Sequence, residues 1–117
     1  LDDHVLFELG KARLRSAARP IGAALAQLVL THPEWARVRI EGHADVRGSD
    51  ALNLALTVRR SEQVRRALIG RGVPASLLIA EGFGRSRPRD LGHGEVAHAR
   101  NRRVEFVVEI DPREVRP

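Results

Sequence analysis

RIEGHADVRGSDALNLALTVRR, residues 39–60, decides the fold. Ile40 sits between Arg39 and Glu41, as in a strand with one buried and one wet face. Gly42, Gly48 and Ser49 bound a tight loop that carries Asp45. Ser49 or Asp50 can cap the helix that follows. At about 100° per residue, Leu56, Val64, Ala67 and Leu68 form one apolar stripe on that helix. Asn53 and Arg60 fall inside the stripe and Thr57 lies near it, whereas Arg59, Glu62, Arg65 and Arg66 point outward. Seven residues of helix separate Asn53 from Arg60, about 10 Å along the axis.

The chain on either side supplies the partners of this unit. Residues 4–9 (HVLFEL) read as a first strand. Residues 16–31 read as a helix, with Pro20 in its first turn and Ile21, Leu25, Leu28 and Val29 on one face. His32-Pro33 stops it, and residues 35–41 form the second strand. The helix after the loop runs to about residue 71, where Gly72 and Pro74 end it. Residues 77–83 form a third strand. Residues 85–99 form a glycine-containing loop, and residues 102–110 form the last strand. The order is βαβαββ, with no internal repeat. These elements imply an α/β (α+β) two-layer sandwich: one mixed four-stranded sheet, both helices on one face and solvent on the other. The chain is expected to form a single domain over 1–117, with a loose tail at 111–117.

Composition narrows the function. The chain has 117 residues, 43% of them apolar, enough for one modest core. There is no cysteine, which removes disulfides and thiolate metal sites without fixing the compartment. The apolar run from Ile21 to Leu30 contains Gln27 and is too short to span a bilayer. A start at Leu1, with no Met and no secretory signal, points to an excised domain, so membrane attachment could come only from flanking segments. The net charge of +5 comes from 20 basic residues, scattered rather than blocked. Nucleic acid is disfavoured: the wet strand face lacks aromatic residues and carries Glu41, Glu105 and Glu109. The glycines match no phosphate-binding pattern. His43, Asp45, His93 and His98 fit no metal-ligand spacing, and no nucleophile lies beside a base. Neither a cofactor, a metal nor catalysis is therefore expected.

In the last strand, Arg102, Val104, Phe106, Val108 and Ile110 share the apolar face, so Arg102 and Arg60 converge on the helix–sheet interface. A buried guanidinium stays charged and needs acceptors. Asp45, Glu8 and Asp50 are the internal candidates. Two readings stay open on these residues: Asp45 pairs internally with Arg60 or Arg102, or a ligand carboxylate completes the set and Asp45 holds a ligand ammonium.

The residues that carry these features also carry a resemblance. The GHxD loop (Gly42 to Asp45), the Asn-x-x-Leu-Thr-x-x-Arg helix start (Asn53 to Arg60), Gly82-Phe83-Gly84 and Asn101-Arg-Arg-Val-Glu105 occur here in order. Over nearly its whole length the chain resembles the OmpA C-terminal-like family, which includes peptidoglycan-associated lipoprotein and the MotB periplasmic domain. The resemblance implies non-catalytic binding of peptidoglycan through the diaminopimelate of its stem peptide, in the periplasm, anchoring an envelope protein of the outer membrane to the wall. It assigns the ligand ammonium to Asp45 and the carboxylate to Arg60, with Asn53 and Arg102 in the same pocket. Backbone amides around Ala44, Val46 and Arg47 add contacts, and Leu56 and Thr57 line or support the wall. The family usually has Thr where Ala44 stands, so a hydroxyl is missing here. Glu8 stands where an Asp is common in the first strand. The alternative is the same fold used as a protein–protein interaction module, with other envelope proteins as partners.

Overall fold

Val38 and Ile40 alternate with Arg39 and Glu41 along a nine-residue strand, and this strand is the centre of the sheet. In the computed structural model, which describes residues 1–111 and 113, the order is α1 (Asp3–Leu6), a 3₁₀ turn (Ser16–Ala18), α2 (Arg19–Leu30), β1 (Trp35–His43), α3 (Asp50–Gly70), a 3₁₀ turn (Ala75–Leu77), β2 (Leu78–Gly82), α4 (Glu95–Asn101) and β3 (Arg103–Ile110). The strand order is β2-β1-β3. β2 runs parallel to β1, with Val38 opposite Leu78, and β3 runs antiparallel, with Val38 opposite Val108. The sheet is therefore mixed, as expected, but it has three strands among the described residues rather than four.

The missing strand is the one expected at residues 4–9. Leu6 and Phe7 are adjacent in sequence and both buried. An extended chain would send them to opposite faces, whereas the end of a short helix lets both enter the core. Only isolated bridges remain of sheet pairing there, Asp2 with Arg103 and Phe7 with Leu14. Leu1 and Val104 exchange two backbone hydrogen bonds, each 2.9 Å, which fixes the start of the chain to β3. Of the tail expected to be loose, residue 111 is tied down, its N–H donating to Glu34 O at 2.8 Å. Residues 112 and 114–117 lie outside the described residues.

The core is one cluster: Val38, Ile40, Leu78 and Val104 from the sheet, Ala26 and Val29 from α2, Val64 and Leu68 from α3, with Leu6 and Phe7. Pro20 falls in the first turn of α2, as expected. Ser49, not Asp50, caps α3, its side chain accepting from Leu52 N. Two glycines let α3 approach the strands. A Cβ on Gly42 would lie 2.5 Å from Thr57 O, and one on Gly82 would lie 2.4 Å from Val58 N. Thr57 fills the gap, its Oγ1 donating to Leu54 O (2.9 Å) and accepting from Gly84 N (3.0 Å).

The outer sheet face is not wholly wet. The segment between β2 and β3, expected as a loop, contains α4 and folds over one end of that face. Arg103 is buried there: it donates to Glu105 (2.6 Å), to Asn101 O (3.1 Å) and to Arg87 O (3.0 Å). His43 is buried beside it, stacked on Phe83 with ring centroids 5.2 Å apart. Burial and then Arg103 lower the His43 pKa, against the pull of Glu41 and Glu105, so His43 is neutral at pH 7. Glu41, His43 and Glu105 bring ligand-type atoms within 4.8 Å of one another, but Arg103 already supplies the compensating cation. Asp45, His93 and His98 do not belong to that group.

The close approach at Gly82 gives a direct test. Gly82→Ala should lower unfolding free energy by about 1–3 kcal/mol, because the obstacle is helix backbone and cannot rotate away. Gly70→Ala, where an added Cβ meets nothing within 4 Å, should stay within about 0.5 kcal/mol of wild type. Urea unfolding of both variants measures the contrast.

Candidate functional site

Where β1 ends, three chain segments meet the stretch over residues 95–102 that carries Glu95 and Arg102. Gly48, at φ 86°, lets the loop turn back so that Asp45 faces α3. The Arg47 N–H donates to Asp45 Oδ1 (2.9 Å), closing an Asx turn. Asn53 Nδ2 donates to Arg47 O (2.7 Å), tying the loop to the first turn of α3. The third segment is the start of the chain, which brings Asp3 into the interface.

The result is an open cleft of about 530 Å³. Asp45, Arg60, Asn53, Arg102, Leu56, Ala44 and Glu8 line it, joined by Asp3, Phe7, Arg15, Arg47 and Glu95. Thr57 does not line it; it is buried behind the wall and holds Gly84. Val46 is exposed and lines a separate depression with Leu54, Phe83 and Arg85. Glu8 is at the rim, 3.6 Å from Arg13.

Asp45 and Arg60 do not pair with each other. Arg60 is buried, donating Nη1 to Asp3 Oδ2 (2.9 Å) and Nε to Lys11 O (2.9 Å). Its guanidinium carbon sits 5.0 Å from the Phe7 ring centroid. Arg60 Nη2 carries no partner among the described residues. Asp45 is held instead by Arg102 and Arg47. Arg102 Nη1 donates to Asp45 Oδ2 (2.9 Å), Nη2 donates to Glu95 (3.2 Å), and Nε lies 3.5 Å from Asp3. Arg47 Nη2 donates to the same Oδ2 (2.7 Å). Burial pushes the Asp45 carboxyl up, but hydrogen bonds from the side chain and backbone of Arg47 and from Arg102 prevail and bring it down to about 2.

Among the site members that the sequence did not reveal are Asp3, Phe7, Arg15 and Glu95, and the side chain of Arg47. Asp3 fell before an expected strand and Glu95 inside an expected loop, and Arg47 was expected to contribute only its backbone amide. The outward registration of Arg103 was the available signal for Arg102: neighbours in a strand take opposite faces, so one of the pair had to enter the interface.

The chain is similar to known proteins over most of its length. Residues 6–102 match the OmpA family. The chain belongs to the OmpA family. A peptidoglycan-associated lipoprotein of Legionella pneumophila is 42% identical over 104 residues, 89% of this chain and 58% of that protein. One from Brucella abortus is 33% identical over 106 residues, 91% of this chain and 62% of that protein. The chain thus spans about 60% of the length of these OmpA-family relatives. Among solved structures, the peptidoglycan-associated lipoprotein of Burkholderia pseudomallei superposes with a TM-score of 0.79 at 34% identity, covering 90% of this chain and 88% of that one. A putative MotB-like protein of Desulfovibrio vulgaris gives 0.86 at 31% identity, covering 94% and 73%.

The depressed Asp45 pKa carries a pH signature. Its ordinary value is 3.8 and its folded value about 2. The ionised carboxylate therefore stabilises the fold fully above about pH 4, and that contribution is lost as pH falls through 3.8 toward 2. The stability difference between wild type and Asp45→Asn should shrink by about 1–2 kcal/mol between pH 5 and pH 2, after screening at the half-exposed Arg47. Denaturant unfolding at a series of pH values reads it.

Proposed function

We propose that this domain binds peptidoglycan without catalysis, through the diaminopimelate end of a stem peptide, and so anchors an envelope protein to the wall in the periplasm. The observation that carries this reading is the charge balance of the cleft. Four carboxylates (Asp3, Glu8, Asp45, Glu95) and four arginines (Arg15, Arg47, Arg60, Arg102) line it together. Such a lining suits a ligand that brings both signs at once, because a lone anion or cation would leave one set uncompensated. The side-chain end of diaminopimelate carries an ammonium and a carboxylate on one carbon. Its carboxylate would take the open Nη2 of Arg60 and its ammonium the carboxylate of Asp45, with Asn53 and Arg102 fixing the surroundings. Leu56, Ala44 and Phe7 would cover the aliphatic chain. The OmpA-family relatives named for peptidoglycan association support peptidoglycan as the partner.

One observation favours the second reading, a protein-interaction module: Asp45 is already closed by two internal arginines. Amide NMR titration with L-Ala-γ-D-Glu-meso-diaminopimelate separates the two. Shifts in the loop over residues 43–49 are expected; a silent loop favours the interaction module.

Charge-assisted hydrogen bonds contribute about 1.5–3 kcal/mol each, so losing one weakens binding roughly ten- to hundredfold. Asp45→Asn and Arg60→Lys should each cut sedimentation with diaminopimelate-type peptidoglycan by that factor while unfolding cooperatively. The lysine keeps the charge opposite Asp3 but loses the fork that serves Asp3, Lys11 O and ligand together. Wild-type binding by both variants would refute the assignment.

A further inference from the structure

Asp45 Oδ2, the oxygen between the two guanidinium groups, has no free acceptor position. Oδ2 takes Arg47 Nη2 (2.7 Å), Arg47 Nε (3.3 Å) and Arg102 Nη1 (2.9 Å), and Oδ1 takes the Arg47 N–H (2.9 Å). An ammonium that takes Oδ2 must therefore replace one of the two guanidinium groups. The two differ in how firmly they are held. The Arg102 side chain is 26% exposed and also engages Asp3 and Glu95. The Arg47 side chain is 54% exposed, and among the described residues its other ionic contact is Glu95 Oε2, 3.5 Å from Nη1.

We propose that Arg47 is a displaceable internal competitor for the ammonium position on Asp45, set between Asp45 and Glu95, and that it sets the affinity and charge selectivity of the site. This rests on the peptidoglycan reading for the identity of the ligand. The backbone need not move. Asn53 holds the Arg47 carbonyl and Asp45 Oδ1 holds the Arg47 N–H, so rotation of the side chain alone clears Oδ2. Glu95 gives the displaced guanidinium a place to go, so the exchange does not strand a cation. α4 thereby enters the binding equilibrium without touching the ammonium. Measured affinity is the difference between the ligand contact and the Arg47 contact that it replaces, which is a conformational cost built into the free protein. A ligand without an amine has no reason to displace Arg47 and gains nothing from its removal.

The test titrates wild type, Arg47→Gln and Arg47→Lys with L-Ala-γ-D-Glu-meso-diaminopimelate, and with the same peptide acetylated on its side-chain amine. Arg47→Gln should bind the free-amine peptide roughly three- to tenfold more tightly than wild type, with Arg47→Lys between them. The acetylated peptide should show no such gain. Equal or weaker binding of the free-amine peptide by Arg47→Gln overturns the proposal, because Arg47 would then be a ligand contact or a bystander. Methylammonium followed at the Asp45 carboxyl carbon keeps the proposal testable apart from the peptidoglycan reading. Saturation at several-fold lower methylammonium in Arg47→Gln than in wild type supports displacement even if neither protein binds the peptide. Identical methylammonium curves overturn it.

Discussion

The contact of Thr57 with the ends of β1 and β2 fixes everything that the cleft depends on. Gly42 and Gly82 have no Cβ, so the backbone of α3 lies directly on the sheet at Thr57 and Val58. The Thr57 hydroxyl then takes the Gly84 N–H that would otherwise be buried without a partner. With α3 pinned at that point, the helical period sets the rest. Asn53 is one turn toward the N-terminus and reaches the loop, while Arg60 is almost one turn the other way and reaches the start of the chain. Side chains here are placed by a backbone contact that cannot stretch, which is how a site built partly on a loop keeps its geometry.

A second constraint is electrical. Arg60 and Asp45 are both buried, and neither could stay charged there alone. The structure resolves this by separation: Asp3 neutralises Arg60, Arg47 and Arg102 neutralise Asp45, and Arg102 bridges toward Asp3 and Glu95. The buried charges are thus compensated without a ligand, and Arg47 is the most exposed arginine in the chain of alternating charges. A direct Asp45–Arg60 pair would have closed the cleft across its middle. Asp3 prevents that, and so a residue in a four-residue helix keeps the site concave.

What was legible in the sequence was whatever depends on period. The positions of Asn53 and Arg60 inside the apolar stripe follow from 3.6 residues per turn, and the inward turn of Arg102 follows from alternation in β3. What was not legible depends on contacts that no period encodes. HVLFEL alternates well enough to read as a strand, but Leu6 and Phe7 both face the core, because Asp3 N–H bonds Arg102 O and the chain turns there. Losing that strand leaves the sheet at three. EVAHARN, residues 95–101, is seven residues long and follows Gly92 and Gly94, too short a stretch for a helical period to distinguish α4 from a loop. Its helix is made by tertiary contact: Asn101 Oδ1 takes the N–H groups of Arg89 and Asp90, and Asn101 Nδ2 bonds Asp90 O. The family motif Asn-Arg-Arg therefore contains one residue for the cleft and two for the fold.

That division explains why one end of the outer face is not wet. Arg102 can reach Asp45 only if β3 begins at a fixed height and rotation, and the residue beside it sets both. Arg103 is clamped on the opposite face by Glu105, Asn101 O and Arg87 O, under a lid whose Phe83 stacks on His43 and carries Arg87 3.8 Å above its ring. Glu41 and Glu105 sit directly opposite each other across the β1–β3 ladder, an arrangement that costs stability unless a cation intervenes. Arg103 is that cation. The buried charges on the outer face hold the register of β3, and alternation converts that register into the aim of Arg102 on the inner face. The two arginines form one device, read from opposite sides of the sheet.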